Sequence, residues 1–279
     1  NIMKKSILLC CFLIPLIGIS QDLKLMTYNI RLDVASDGEN SWANRKDFFT
    51  AQIKFYEPDI FGIQEATPNQ VIDISNELTQ YNQVGIGREG EGKGESSNIY
   101  FKKERFKVIT ENTFWLSETP NQISKGWDAA FYRVCTYVLL KDTKKNILFW
   151  VFNTHLDHVG EIARTNGIEL ILAQIAKVNT KNYPVFFMGD FNSEPSTERI
   201  ISLQSKMNDS REIAIQKPFG PTGTFNGFKH NEPVTILIDY IFVSKNNTLK
   251  INKYAVLSDS KDLKYPSDHL PVFIEVNYK

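Results

Sequence analysis

Asp190 and Asn192 follow the apolar run Pro184-Val185-Phe186-Phe187-Met188 and the break at Gly189. A carboxylate and a carboxamide are thereby delivered at the exit of a buried strand, the place where α/β enzymes present reactive groups. Asp and Asn also favour turns for local reasons, because their side chains bond nearby backbone. The same placement recurs along the chain, however. Asn29, Glu65 and His155 follow apolar stretches, and Asp268-His269 precedes the last one. Asp239 lies inside an otherwise apolar run, where an ionised carboxylate needs a partner or a cation. Each has an ordinary alternative: Glu65 as a cap for the helix opening at Thr67, His155 as a hydrogen-bonded core histidine, Asp239 as the partner of an arginine. Their joint recurrence favours one shared site.

The chemistry that fits these types is hydrolysis of a phosphate ester. Oxygen ligands such as Glu and Asp suit Mg²⁺, which binds through one or two carboxylates and keeps several waters. The sulfur and histidine sets of zinc are absent, and the pair His155 and His158 leaves a strand rather than sharing a helix face. A phosphoryl transition state needs a polarising cation, an oriented water and donors for its oxygens. Carboxylates, carboxamides and imidazoles can fill those roles. The chain has no Gly-x-Ser-x-Gly elbow and no Walker loop, which sets aside serine hydrolases and nucleotide kinases.

These residues must be held by strands. Residues 23–30 alternate as a strand, and 60–63 form a short buried one. Residues 42–56 have helical spacing and stop before Pro58. Thr67-Pro68-Asn69-Gln70 opens a second helix, as a capping box with Pro at its first position, running to about Gln80. The Gly- and Glu-rich stretch 85–96 reads as a mobile loop. Residues 98–101 and 106–109 read as a hairpin pair, followed by a long aromatic loop over 111–133 containing Trp115 and Trp127. A second hairpin spans 134–140 and 147–153. Helices are predicted at 161–178 and 197–203, a loop at 216–233, a strand at 234–243 interrupted by Asp239, and a last strand at 270–276. Strands often follow strands directly, so mixed sheets covered by helices fit better than a purely parallel sheet.

Residues 1–20 read as a signal peptide. Lys4 and Lys5 precede an apolar core at Ile7–Ile19, with Gly18 and Ser20 suited to a cleavage site. The order suggests a start at Met3, a mature chain from Gln21, one catalytic domain over 21–279, and a periplasmic or extracellular destination. Cys10 and Cys11 would leave with the leader, so Cys135 remains as a core thiol and no internal disulfide forms. The whole chain carries 32 basic and 32 acidic residues; residues 1–20 hold two lysines and no acid, leaving 30 against 32, or −2. That balance disfavours long nucleic acid as the main substrate. No stable membrane insertion is expected, and the chain is expected to act as a monomer.

The order of short motifs resembles the endonuclease/exonuclease/phosphatase superfamily. The matching stretches are Thr27-Tyr28-Asn29-Ile30, Ile63-Gln64-Glu65, Asn153-Thr154-His155-Leu156, Gly189-Asp190-Phe191-Asn192, Ile238-Asp239-Tyr240-Ile241-Phe242 and Ser267-Asp268-His269. Gly126-Trp127-Asp128-Ala129-Ala130 looks like a secreted bacterial branch, similar to deadenylase and nocturnin-like members. The resemblance implies a four-layer α/β sandwich, with two mixed β-sheets packed face to face and helices outside. It implies a metal-dependent phosphoric ester hydrolase in which Glu65 is the principal Mg²⁺ ligand, helped by Asn29 and Asp268, with Mn²⁺ as a substitute. It gives Asp190 the attacking water with Asn192 beside it, and the phosphate to His155 and to His269 held by Asp239. Asp268 could instead serve the leaving group. Arg133 is open between a phosphate ligand and a surface ion pair.

The leading reading is a secreted phosphoesterase acting on a small or lipid-linked mono- or diester. A secreted Mg²⁺-dependent nuclease is a second, for which a basic groove would be expected. A non-catalytic binding protein on the same scaffold is a third, for which decayed motifs would be expected; all six keep their key residues.

Overall fold

A computed structural model describes residues 23–246 and 248–278. The expected leader, its Ser20–Gln21 junction, Cys10 and Cys11 lie outside the described residues. The strands are β1 (Leu23–Asn29), β2 (Ile60–Gln64), β3 (Tyr81–Val84), β4 (Ile99–Lys102), β5 (Phe106–Trp115), β6 (Val134–Asp142), β7 (Ile147–His155), β8 (Val185–Asp190), β9 (Asn208–Asp209), β10 (Asp239–Val243), β11 (Leu249–Val256) and β12 (Val272–Tyr278). The helices are α1 (Trp42–Tyr56), α2 (Pro68–Glu77), α3 (Glu161–Val178) and α4 (Glu198–Lys206).

Two six-stranded sheets form, in the orders β11-β12-β1-β2-β4-β3 and β5-β6-β7-β8-β10-β9. Each is antiparallel except for one central parallel pair, β1 with β2 and β7 with β8. Alternation along the strands builds the layers. Leu25, Ile60, Val151, Phe186, Met188, Ile241 and Ile274 meet between the sheets. Met26, Tyr28, Phe61 and Ile63 point the other way, under Phe49 and Ile53 of α1 and Ile74 of α2. Trp150, Phe152 and Phe187 pack under Ile168 and Ile171 of α3 and Ile200 and Leu203 of α4. The result is the expected four-layer sandwich.

The same alternation places the chemistry. Thr27 and Asn29 continue the inward face of Leu25, Gln64 that of Ile60, Asn153 and His155 that of Val151, and Asp190 that of Met188. Both parallel pairs end at one edge of the sandwich, with Asn29 opposite Gln64 and His155 opposite Asp190. Antiparallel β10 starts at that edge, so its first residue, Asp239, also faces Asp190. Behind them the sheets are tied by buried amides. Gln64 donates to Asn153 Oδ1 at 2.7 Å and to Thr27 Oγ1 at 3.0 Å, and Asn153 donates to the Ile63 and Asn98 carbonyls at 2.9 Å each. Gly62 makes this approach possible, since a Cβ there would sit 2.7 Å from Asn153 Cγ and 2.7 Å from Met188 Cε.

Several expectations are corrected. The predicted hairpin of 98–101 with 106–109 does not form: β4 pairs with β2 and β3, whereas β5 joins β6 in the other sheet. The crossover is pinned by Arg105, whose buried guanidinium bridges Asp59 at 2.8 Å and Asp142 at 2.7 Å. Asp239 opens β10 rather than interrupting a longer strand. β5 extends to Trp115, shortening the aromatic loop, and α2 gives way to β3. The stretch 85–96 is held by tight turns, with Gly90 N donating to Gly87 O at 2.9 Å, Arg88 N to Glu95 O at 2.8 Å and Ser96 N to Ala66 O at 2.9 Å.

Candidate active site

Asp190 and Glu65 are both held by Asn29, whose Nδ2 donates to Glu65 Oε1 at 3.0 Å and to Asp190 Oδ2 at 2.9 Å. Asn29 Oδ1 accepts from Arg31 N at 3.0 Å. The other Glu65 oxygen accepts from Leu32 N at 3.1 Å, and the other Asp190 oxygen from Asn192 N at 2.8 Å. Glu65 and Asn192 both adopt left-handed backbone, at φ 64° and 44°. Such conformations are strained for side chains with a Cβ and persist where surrounding structure over-determines them.

The histidines flank Asp190. His269 Nδ1 bonds Asp239 Oδ2 at 2.8 Å, and its Nε2 lies 3.8 Å from Asp190 Oδ2. His155 Nε2 lies 3.5 Å from the same oxygen and 3.1 Å from Asn192 Nδ2. Asn192 Nδ2 also donates to the Leu156 carbonyl at 3.0 Å, which fixes the amide orientation and makes His155 Nε2 an acceptor there. Phe225 meets the His269 ring edge to face at 5.1 Å.

Environment separates these groups. Burial, reinforced by the Asp239 charge, pushes Asp190 up to about 7 against the pull of His269 and Asn29. Burial opposes charge on His269, yet the charge and hydrogen bond of Asp239 outweigh it and hold the imidazole well above its ordinary range. Burial and then Arg133 hold His155 well below that range, so it is neutral. Burial raises Asp268, and the nearby Glu65 charge adds to it.

This donor set fits a divalent cation. Glu65 and Asp268 are two carboxylates whose charges oppose each other across one cleft, the arrangement a hard cation relieves. Ligand atoms of Asp190, Asp239 and His269 also lie within 4.8 Å of one another. That trio is better described as a hydrogen-bonded pair beside a third carboxylate, because His269 Nδ1 is occupied by Asp239. One oxygen of Asp239 has no hydrogen-bond partner among the described residues.

All the predicted site residues converge on one cleft of about 480 Å³ or on the groups directly behind it. Arg133 lines it as a buried rather than a surface ion pair, 3.3 Å from Asp157. Trp115 and Trp127 of the aromatic stretch do not line it. Trp115 instead donates its indole N–H to the Arg88 carbonyl at 2.7 Å. Arg31, Arg88, Glu95, Phe131, His158 and Phe225 line the cleft without having been predicted to do so. Supporting residues were missed as well. Buried Arg45 donates to the Ile30 and Pro266 carbonyls at 2.7 and 2.8 Å, joining the loop after β1 to the Asp268 segment. Gln70 was legible as a capping-box residue, but it also donates to the Arg31 carbonyl at 2.8 Å.

Carboxylates, amides and imidazoles meeting where two facing mixed sheets share an edge define the class of metal-dependent phosphoric ester hydrolases. The profile of the Endonuclease/Exonuclease/phosphatase family matches residues 26–269, and the chain belongs to that family. Among solved structures it is similar to a mannosyl-6-phosphatase of Bacteroides thetaiotaomicron, with 33% identity, coverage of 92% of this chain and 100% of that one, and a TM-score of 0.87. A functionally unknown protein of Enterococcus faecalis is 37% identical, with coverage of 92% and 100% and a TM-score of 0.85. Among curated proteins, a probable RNA exonuclease of Schizosaccharomyces pombe is 25% identical over 71% of this chain and 43% of its own length. The chain thus spans under half the length of the curated relatives it matches. Among the described residues no helix is long and apolar enough to cross a membrane.

Proposed function

We propose that this chain is an exported, Mg²⁺-dependent phosphoesterase of small phosphate esters, with sugar phosphates as the leading substrate class. The observation that carries the reading is the setting of Asp190. It is a buried carboxylate oriented by Asn29 and Asn192, poised near neutrality, and flanked by Glu65 on one side and the Asp239–His269 pair on the other. Glu65, with Asp268 and Asn29, would hold Mg²⁺ (Mn²⁺ as substitute), and the bound ion supplies a positive centre that polarises the phosphoryl group. Asp190 orients the attacking water and takes its proton as the new P–O bond forms and the ester P–O bond breaks. His269, a cation on Asp239, donates to a phosphoryl oxygen. His155 and Asn192 together form the wall beside it.

A cleft of about 480 Å³ is the size of a small-molecule site. The formal charge of −2 on residues 21–279 and the likeness to a mannosyl-6-phosphatase support a small substrate over a polynucleotide. The test is a panel of hexose phosphates, phosphodiesters, phospholipids, RNA and DNA with Mg²⁺ or Mn²⁺. Hexose phosphates should be turned over, EDTA should abolish turnover, and either cation should restore it. Cleavage of RNA or DNA without hydrolysis of small esters would replace this reading with a nuclease. Full activity after thorough chelation would remove the metal from it.

A further inference from the structure

Resting on that hydrolase reading, the geometry also bears on which ester is taken. We propose that Arg88 and Arg133 form a paired guanidinium wall that selects the phosphomonoester dianion over the diester monoanion. Both arginines line the cleft beside Glu65 and His155. One aromatic side chain gathers them: Arg88 Cζ lies 5.0 Å and Arg133 Cζ 6.0 Å from the centre of the Phe131 ring. Two like charges thus share one ring and one recess of the cleft, at side-chain exposures of only 12% and 6%.

Their partners differ in kind. Arg88 pairs with Glu95 at 2.7 Å, and Glu95 itself lines the cleft. Arg133 lies 3.3 Å from Asp157, which is absent from the cleft lining and already accepts backbone N–H bonds from Ala130, Phe131, Val159 and Gly160. The N–H dipoles screen the Asp157 carboxylate, which stands outside the lining, and the charge of Arg133 still reaches His155 in the cleft. Arg133 also donates to His158 Nδ1 at 3.2 Å, and His158 stacks on Phe131 at 5.7 Å, which fixes the wall along the cleft. The main chain at Arg88 is clamped by Glu95 O at 2.8 Å and by the Trp115 indole at 2.7 Å.

Attack at phosphorus does not require this wall, because the groups around Asp190 serve any ester. What the wall adds is positive charge and planar donor forks. A phosphomonoester carries between about −1.5 and −2 at neutral pH, whereas a diester carries a single negative charge. A diester must also place an organic arm where a monoester places an oxygen, leaving buried donors unpaired. Glu95 keeps Arg88 paired when no phosphate is bound, and its carboxylate disfavours a second phosphate, as in a polynucleotide.

The test compares p-nitrophenyl phosphate with bis(p-nitrophenyl) phosphate in the wild type, Arg88→Gln, Arg88→Lys and Arg133→Gln, with melting temperatures alongside. Calorimetry with inorganic phosphate at pH 8 gives a readout independent of turnover. Arg88→Gln should lower the monoester-to-diester ratio of kcat/KM about tenfold and weaken phosphate binding by a similar factor. Arg88→Lys should recover only part of either loss, because an ammonium lacks the fork. A folded Arg88→Gln with unchanged ratio and unchanged phosphate affinity would show that the pair merely pins its loop, overturning the proposal. A wild type that prefers the diester overturns it too, while leaving the hydrolase reading intact. If Arg133→Gln unfolds, Arg88→Gln alone decides. If no ester is turned over, the hydrolase reading fails, and phosphate affinity in Arg88→Gln still decides whether the wall binds a dianion.

Discussion

Asp239 and His269 share a 2.8 Å hydrogen bond at 1% and 4% exposure, so neither can be altered without changing the other. Removing one member of a buried charged pair leaves the other uncompensated. Asp239→Asn should let His269 fall to neutrality and lose its value as a cation facing phosphate. His269→Ala should strand the carboxylate. Each change should lower kcat/KM at least tenfold, equivalent to about 1.4 kcal/mol of transition-state stabilisation. A double-mutant cycle checks the pairing: the double variant should be little worse than either single one, because residues that act as a unit are strongly non-additive. Losses that multiply would separate the two residues. Glu65→Gln keeps only one of the two acceptor oxygens that Asn29 and Leu32 use; it should keep the fold but bind Mg²⁺ more weakly, read by calorimetric titration against the wild type.

At the scale of the elements, two residues test how the strands meet. Gly62 on β2 faces Asn153 on β7 and Met188 on β8, and an added Cβ would meet both at 2.7 Å. Gly62→Ala should therefore destabilise by about 1–3 kcal/mol, read as a lowered denaturation midpoint. It should also lower activity, because the same contact sets the spacing of the two parallel pairs. Asp209 on β9 is buried, and burial raises its carboxyl to about 6 despite the Arg211 backbone N–H. The folded state therefore holds this proton more tightly than the unfolded chain does. Stability from that preference is fully present below the ordinary carboxylate range and is lost as pH rises through 6. Asp209→Asn keeps the acceptor for Arg211 and removes the ionisation. It should stabilise the protein at pH 8 by on the order of 2–3 kcal/mol and leave it unchanged near pH 3. Equal melting curves at both pH values would mean that Asp209 is hydrated in solution.

For the whole molecule, the sandwich explains why residues so far apart in sequence share one cleft. Each sheet contributes one parallel pair, and both pairs end at the same edge. The proposed export belongs to this scale as well. Residues 1–20 should be removed, giving a mature chain that begins near Gln21. Intact mass and cell fractionation check this: a protein that keeps Met3 and remains in the cytoplasm would refute it. The single cysteine left after such cleavage, Cys135, is a buried free thiol, so reducing agents should not change the melting temperature.

The sequence by itself determined which residues could do chemistry and most of the scaffold beneath them. Asn29, Glu65, His155, Asp190 and Asp268 were legible because polar groups stand out at the ends of apolar runs. Helices α1 and α3 were legible because their apolar spacing and stops are local. Pairing was not local: β4 and β5 are neighbours in sequence but lie in different sheets, joined by a crossover that Arg105 pins to Asp59 and Asp142. The start of β10 at Asp239 depends on its partner Asp190 across the sheet, not on its own neighbours. Arg88, Arg45 and Gln70 meet partners far away in sequence, at Phe131, Pro266 and Arg31. Their roles exist only once distant loops are folded against one another, so only the tertiary structure could decide them.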